Sequence, residues 1–485
     1  MKTTFASLRF FNFRLWFAGA LVANIGTWMQ RVAQDWLVLT ELSNDSGLAV
    51  GIVTGLQFVP ALLLGPYAGL LADRLPRRGL LMFTQGIQGL LALGLGVLVL
   101  SGTAELWHVY IFALLLGIAT ALDAPVRQIF VAEMVPATSL PNAVGLNSAS
   151  FNAARLIGPG TAGLLIALVG PGWAFIINAV SFGATIFSLT LMRTHELHDL
   201  PHTTRGKGQL REGLRYAMGR SDLLMLFLVV GVVSAFGLNF QLTSAVMARE
   251  VFDRGASEYG VLGSIMAVGS LIGGLVAARR KQPRVRLVVA AALAFGVATA
   301  AMAAMPTYEM YAIATIPVGL ASMTMLSSAN ATIQMSTDPS MRGRVMALYM
   351  MVLHGTTPIG APIVGWIAET FGARWSIWIG SISAVLVALI VALWAKRAWQ
   401  VQVTYQLRHR PRLTMVGPHE RAAQRLLAAA AAPEGDGTAA AERGDEPLAA
   451  PQKPDGAICS TTSSMHATSA RTSSGSTDGN MPTRT

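Results

Sequence analysis

A chain of 485 residues that is 53% hydrophobic and only 13% charged, with a mean hydropathy of +0.51, has too little polar surface for a soluble globule and reads as a protein of many membrane spans. A formal net charge of +11 would suit a nucleic-acid binder, but the basic residues gather in the loops of one side, a topological signature that excludes that reading. The single cysteine, Cys459, sits in a polar tail and rules out an intrachain disulfide, a CxxC pair or a cysteine-based zinc site.

The opening MKTTFASLRFFNFR lacks a small-residue cleavage site, and the apolar run after it is too long for the core of a signal peptide, so it reads as a cytosolic lead-in to the first span. Apolar runs then predict helices over about 14–40, 48–72, 79–101, 107–131, 141–168 and 173–192. After a polar break they resume over about 223–248, 257–280, 286–305, 308–333, 343–370 and 374–396, giving an all-α polytopic membrane protein of twelve helices in two sets of six. The expected domains are residues 1–192, a central loop over 193–222, residues 223–398 and a tail over 399–485. With the N-terminus inside, Arg9, Arg14, Arg74, Arg77, Arg78, the central loop, Arg279, Arg284, Arg342 and Arg344 fall on the cytoplasmic side. Only Arg249, Arg254 and Arg374 fall opposite, which places both termini in the cytoplasm.

Between the second and third runs lies GLLADRLPRR (69–78), a charged knot that cannot follow its neighbours into the hydrocarbon. The central loop carries His195, His198 and His202, whose spacing is not that of a zinc site, and an amphipathic helix is expected around Leu210–Met218. From about Pro411 the tail is basic, then Ala-rich, then Ser/Thr/Gly-rich, a composition that predicts disorder with a short helix near 421–431. The two sets of six also repeat one another. GLLADR (69–74) returns as GLVAAR (274–279), and Gly158, Gly163, Gly170 and Trp173 return as Gly360, Gly365, Gly372 and Trp375. Such parallel repeats build one class of secondary transporter, with the substrate between the halves near the midplane.

Twelve runs, a central loop and GLLADRLPRR together resemble the major facilitator superfamily, whose loop between the second and third spans carries G-x-L-A-D-R-x-G-R-R/K. Gly69, Leu71, Ala72, Asp73, Arg74, Arg77 and Arg78 match, while Pro76 replaces the glycine and Ala278 leaves the second copy without its acid. WMQRVAQDWLVLTEL (28–42), ALDAPVRQIFVAEMVP (121–136), NAVGLNSASFNAARLIGPGTAGLLI (142–166) and MRGRVMALYMMVLHGTTPIGAPIVG (341–365) resemble the branch of enterobactin-type siderophore exporters and macrolide-efflux proteins. The resemblance implies a conformational gate in which Asp73, with Arg74, Arg77 and Arg78 beside it, meets Arg127 and the helix starting at Arg342 to Arg344. It also implies a bendable fifth span at Gly158, Pro159 and Gly163.

Charges inside the spans are costly and mark function. Arg31 and Asp35 stand four apart on one helix face and can pair. Asp35, then Asp123 beside Arg127, then His354 are the candidate coupling groups, because the second set has no acid away from a helix end. Polar side chains avoid lipid, so Gln30, Arg31, Gln57, Asn147 and Asn152 are expected to line a central cavity. Arg155, Gln241, Asn330 and Gln334 complete that expectation, and Trp28, Phe58 and Phe151 are candidates for its apolar wall.

No phosphate-binding loop is present, so the expected activity is secondary transport without a cofactor, not an enzyme. The expectation is a monomeric exporter of a small amphipathic molecule, drug-like or siderophore, across the bacterial cytoplasmic membrane against proton entry. Its alternatives are a facilitator or importer of a small metabolite, and a membrane-embedded enzyme or sensor.

Overall fold

The structure, a computed structural model, describes residues 5–198, 209–279, 285–399, 403–406 and 412–415. The first set comprises α1 (Phe11–Leu37, continued by a π turn over Val38–Leu42), α2 (Gly47–Arg74), α3 (Arg77–Leu100), α4 (Leu106–Glu133), α5 (Leu140–Val169) and α6 (Gly172–Thr190). Ser46 caps α2 by accepting from the Ala49 amide, and Pro76 sets the entry to α3. A short helix, α7 (Gln209–Met218), realises the amphipathic segment expected in the central loop.

The second set runs α8 (Ser221–Phe236), α9 (Phe240–Val246, continued by a π turn over Met247–Val251), α10 (Ala256–Ala278), α11 (Val285–Ala303), α12 (Tyr308–Ser336), α13 (Arg342–Gly355), α14 (Thr357–Phe371) and α15 (Ala373–Trp399). Two apolar runs that read as single helices are therefore broken. Gly237 interrupts the seventh, where Asn239 Nδ2 caps the loose Ala235 carbonyl at 2.6 Å. Pro358, which has no N–H to give, restarts the eleventh just after Thr356.

Eleven of the twelve expected spans are long and apolar enough to cross a membrane. The exception is α1, which has the length but carries Arg14, Gln30, Arg31, Gln34 and Asp35. It packs against α5 and α6 as a member of the bundle, with Trp16 edge-on to Phe130 of α4 at 5.7 Å. In the second set α10 and α11 pack on α12, and α15 packs on α8 and α11. The sets join chiefly where α2 lies on α14 and α5 on α10.

Beyond α15, β1 (Val403–Gln406) pairs antiparallel with β2 (Arg412–Met415). Val403, Thr404 and Tyr405 against Leu413 and Thr414 supply the β-branched and aromatic content that such a pair favours. The expected helix near 421–431 and the rest of the tail lie outside the described residues.

The sequence repeat has a backbone cause at one position. Gly170 (φ +86, ψ 168) ends α5 and Gly372 (φ +100, ψ 154) ends α14, each turning the chain into the next helix through a conformation that only glycine adopts readily. Nothing lies within 4 Å of a Cβ built at either, so dihedral strain and not crowding selects glycine. Gly372→Ala is expected to cost about 1–3 kcal/mol and to lower the thermal midpoint of the detergent-solubilised protein. Gly145→Ala, inside α5 and also without a neighbour within 4 Å, should leave that midpoint unchanged or raise it.

Candidate functional site

At one end of the bundle the two sets are pressed together backbone to backbone. A Cβ on Gly51 of α2 would stand 2.5 Å from the Ala361 carbonyl oxygen of α14, and one on Gly163 of α5 would stand 2.5 Å from that of Ala256 in α10. Gly365 abuts Gly47, and Gly260 abuts Pro159, in the same way. Small residues permit this approach where larger ones would hold the helices apart. Polar contacts trim the rim: Ser46 Oγ donates to Glu369 Oε2 at 2.7 Å, and Arg249 Nε to Asp45 Oδ1 at 3.1 Å. Both are exposed, so the backbone contact holds this end more than they do.

At the opposite, basic end the arginines bond within the first set or to the central loop. Arg77 pairs with Glu133 of α4, and Arg78 donates to the Leu189 and Thr190 carbonyls at 2.8 and 3.2 Å. Arg344 pairs with Glu212 of α7 at 2.8 Å, while Arg74 and Arg342 are exposed. Asp73 falls in the last turn of α2, and its side chain lies outside the described residues. Arg127, also expected at the gate, bonds to Asp123 Oδ2 at 3.0 Å and Asn24 Oδ1 at 3.3 Å and lies over the Trp16 ring at 5.6 Å. A buried carboxylate needs donors, and Asp123 collects three, from Thr84, Gln85 and Arg127.

Just inside the closed end, Asp35 is 7% exposed and accepts a hydrogen bond from the Tyr259 hydroxyl at 3.3 Å, across from α1 to α10. Trp36 stacks on the Tyr259 ring at 5.8 Å. The expected Arg31–Asp35 pair does not form: Arg31 turns to the rings of Trp28 and Phe58, at 5.3 and 5.9 Å, because Tyr259 takes the carboxylate. Arg155 approaches Trp28 from α5 at 5.7 Å, Phe151 meets Trp28 edge-on at 5.9 Å, and His354 stacks on Phe58 at 6.1 Å. His354 is exposed and Arg31 and Arg155 are half-buried, so these basic groups gather around Trp28 and Phe58 without being sealed into the core.

The other expected cavity residues divide. Gln57, Asn147 and Asn152 are half-buried, with Asn152 Nδ2 donating to the Ser148 carbonyl at 2.8 Å. Gln241 is half-buried with a buried Nε2 that has no partner, and Asn330 and Gln334 bond to each other. Gln30 is a correction: it is 4% exposed and accepts from Asn178 Nδ2 at 2.5 Å, so it ties α1 to α6 and does not reach the cavity.

The Gly158, Pro159, Gly163 segment stays helical within α5, yet its ladder is opened from outside. Ser264 Oγ of α10 accepts from the Gly160 amide at 3.1 Å and donates to the Leu156 carbonyl at 2.7 Å, standing between the two groups an unbroken helix would pair. Tyr259, Ser264 and Glu133 carry no mark in the sequence, since each acts through a partner far away in the chain.

Two sets of membrane helices pressed together by glycine contacts at one end, with cations and aromatic rings gathered where they meet, suit a transporter, and known proteins agree. The family model described as transmembrane secretion effector matches residues 2–421. The staphyloferrin A transporter of Staphylococcus aureus is 25% identical over 78% of this chain and 94% of its own length. The multidrug efflux pump Tap of Mycolicibacterium fortuitum is 26% identical over 73% of this chain and 88% of its own. Among solved structures, a POT family transporter in complex with 5-aminolevulinic acid superposes with a TM-score of 0.66 at 11% identity, covering 79% of this chain and 96% of that one. The chain belongs to the transmembrane secretion effector family and is a multi-pass membrane transporter of the major facilitator type.

Proposed function

We propose that this chain exports a small amphipathic molecule across the bacterial cytoplasmic membrane in exchange for protons, by alternating access between residues 1–192 and 223–398. The basic end is the cytoplasmic one, with both termini there, so the present geometry is open inward and shut outward. The observation that carries the coupling is the Asp35–Tyr259 hydrogen bond, a titratable group of one set held by the other at the closed end. A carboxylate buried there as a charge costs several kcal/mol, so its protonation is the event to which closure responds most strongly. Two curated relatives, a siderophore transporter and a multidrug efflux pump, support the cargo class.

A growth screen of a strain lacking the protein, against toxic compounds and under iron limitation, supplies a cargo. Proteoliposomes then decide. Accumulation driven by a pH gradient supports antiport, equilibration without accumulation means a facilitator, and chemical change of the cargo without movement means an enzyme.

Asp73→Asn should weaken the hold of the second-span loop on the start of α13 and shift the population further inward. Transport is expected to fall while expression stays near wild type. Wild-type transport with unchanged cytoplasmic accessibility would reduce Asp73 to an anchor.

A further inference from the structure

Two cations in the middle of the bundle have no role in the coupling just described. Arg31 projects from α1 and Arg155 from α5 onto the same indole, Trp28, and among the described residues neither guanidinium has a hydrogen bond or an ion pair with the protein. Each presents five N–H donors in a fixed fork. Their charges repel one another, and Arg31 also acts on His354, the third basic group of the wall. The acid one turn from Arg31, Asp35, is engaged by Tyr259.

Such an arrangement is expensive. A cation at mid-span costs roughly 2.5–3.5 kcal/mol on insertion scales, and contact with an aromatic face returns about 0.5–2 kcal/mol. Asp35 acts on Arg31 but is already engaged by Tyr259, and among the described residues no acid acts on Arg155, so the two like charges gathered around one ring are only partly compensated by the protein. The surroundings indicate its shape: Trp28, Phe151 and Phe58 offer flat apolar faces beside the two forks, and a guanidinium matches a carboxylate in two parallel hydrogen bonds.

We infer that the cavity selects an anionic cargo, one bearing a carboxylate or similar oxyanion on a flat apolar body. The anionic group is held by Arg31 and Arg155, and the body lies against Trp28, Phe58 and Phe151. This substrate class rests on the transport reading above. An amphipathic cation, which the aromatic wall alone would accept, is repelled by the same two arginines.

Equilibrium binding in the absence of any gradient separates this inference from the transport reading. The full chain, in nanodiscs of phosphatidylcholine so that no anionic headgroup competes, is titrated with fluorescein and with rhodamine 123, aromatic dyes of similar body and opposite charge, by fluorescence anisotropy. Fluorescein is expected to bind at least about tenfold more tightly, a difference of about 1.4 kcal/mol. Arg31→Gln and Arg155→Gln should each weaken fluorescein at least about tenfold and leave rhodamine 123 unchanged or tighter, while Arg155→Lys should recover part of the loss. Equal binding of the two dyes by the wild type, preference for the cation, or no fluorescein binding overturns the inference, and none of these depends on a variant folding. Loss of pH-driven transport with the anion preference intact would instead count against the export reading alone.

Discussion

Asp35→Asn is expected to abolish pH-gradient-driven accumulation of cargo in proteoliposomes while downhill exchange continues at a measurable rate. The substitution keeps the size of the side chain and an acceptor for the Tyr259 hydroxyl, so the contact between α1 and α10 survives in neutral form. What is lost is the charge that makes closure depend on a proton. Asp123 offers a control of the same chemistry. Among the described residues its carboxylate is engaged by Thr84, Gln85 and Arg127, all inside the first set, so Asp123→Asn should lower stability more than it alters coupling. Full proton-driven transport by both variants would remove the proton from the mechanism in this form.

Gly51→Val should trap the transporter with its closed end open. The added Cβ would stand 2.5 Å from the Ala361 carbonyl oxygen and 2.9 Å from Pro362 Cα, and these backbone atoms cannot rotate aside as a side chain would. Overpacking of this kind costs about 1–3 kcal/mol, and here the cost falls only on the state in which α2 and α14 touch, a shift of roughly 5- to 150-fold in its population. Net transport should fall accordingly with little change in expression. Ser264→Ala acts at the neighbouring α5–α10 contact in the milder sense, since α5 can restore the Leu156–Gly160 bond once the hydroxyl is gone.

The long elements and their surfaces were legible because hydrocarbon admits so few residue types: the runs, the GLLADRLPRR turn and the α7 amphipath all follow from where charge can stand. The internal repeat was legible for a backbone reason that the paired positive-φ glycines now supply. Pairings between distant helices were not. Spacing allowed Arg31 to meet Asp35, but Tyr259, more than two hundred residues on, competes for the carboxylate and wins. Polarity inside a span marked Gln30 as a cavity residue, whereas Asn178 shows that a polar side chain satisfies the same rule by facing another helix. Arg127 is assigned to the gate by resemblance alone, whereas its pairing with the buried Asp123 one turn away follows from their spacing. The breaks in the seventh and eleventh spans were visible only as Gly237 and Pro358, residues that many continuous membrane helices tolerate.

The central claim is that a proton on Asp35 governs closure of the outer end, and one distance measurement reads it. Nitroxide labels at Glu41 and Phe371, both exposed and on opposite sets at that end, in a Cys459→Ser background, report the gap by pulsed electron resonance. Asp35 meets Tyr259 across the gap and has Arg31 one turn away on its own helix. Neutralising the carboxylate removes the cost of burying its charge, so acidification from about pH 8 to about pH 5 should move the population toward the short distance. Asp35→Asn should show the short distance at both values. A wild-type distribution that does not change with pH, or one that changes equally in Asp35→Asn, would contradict the account.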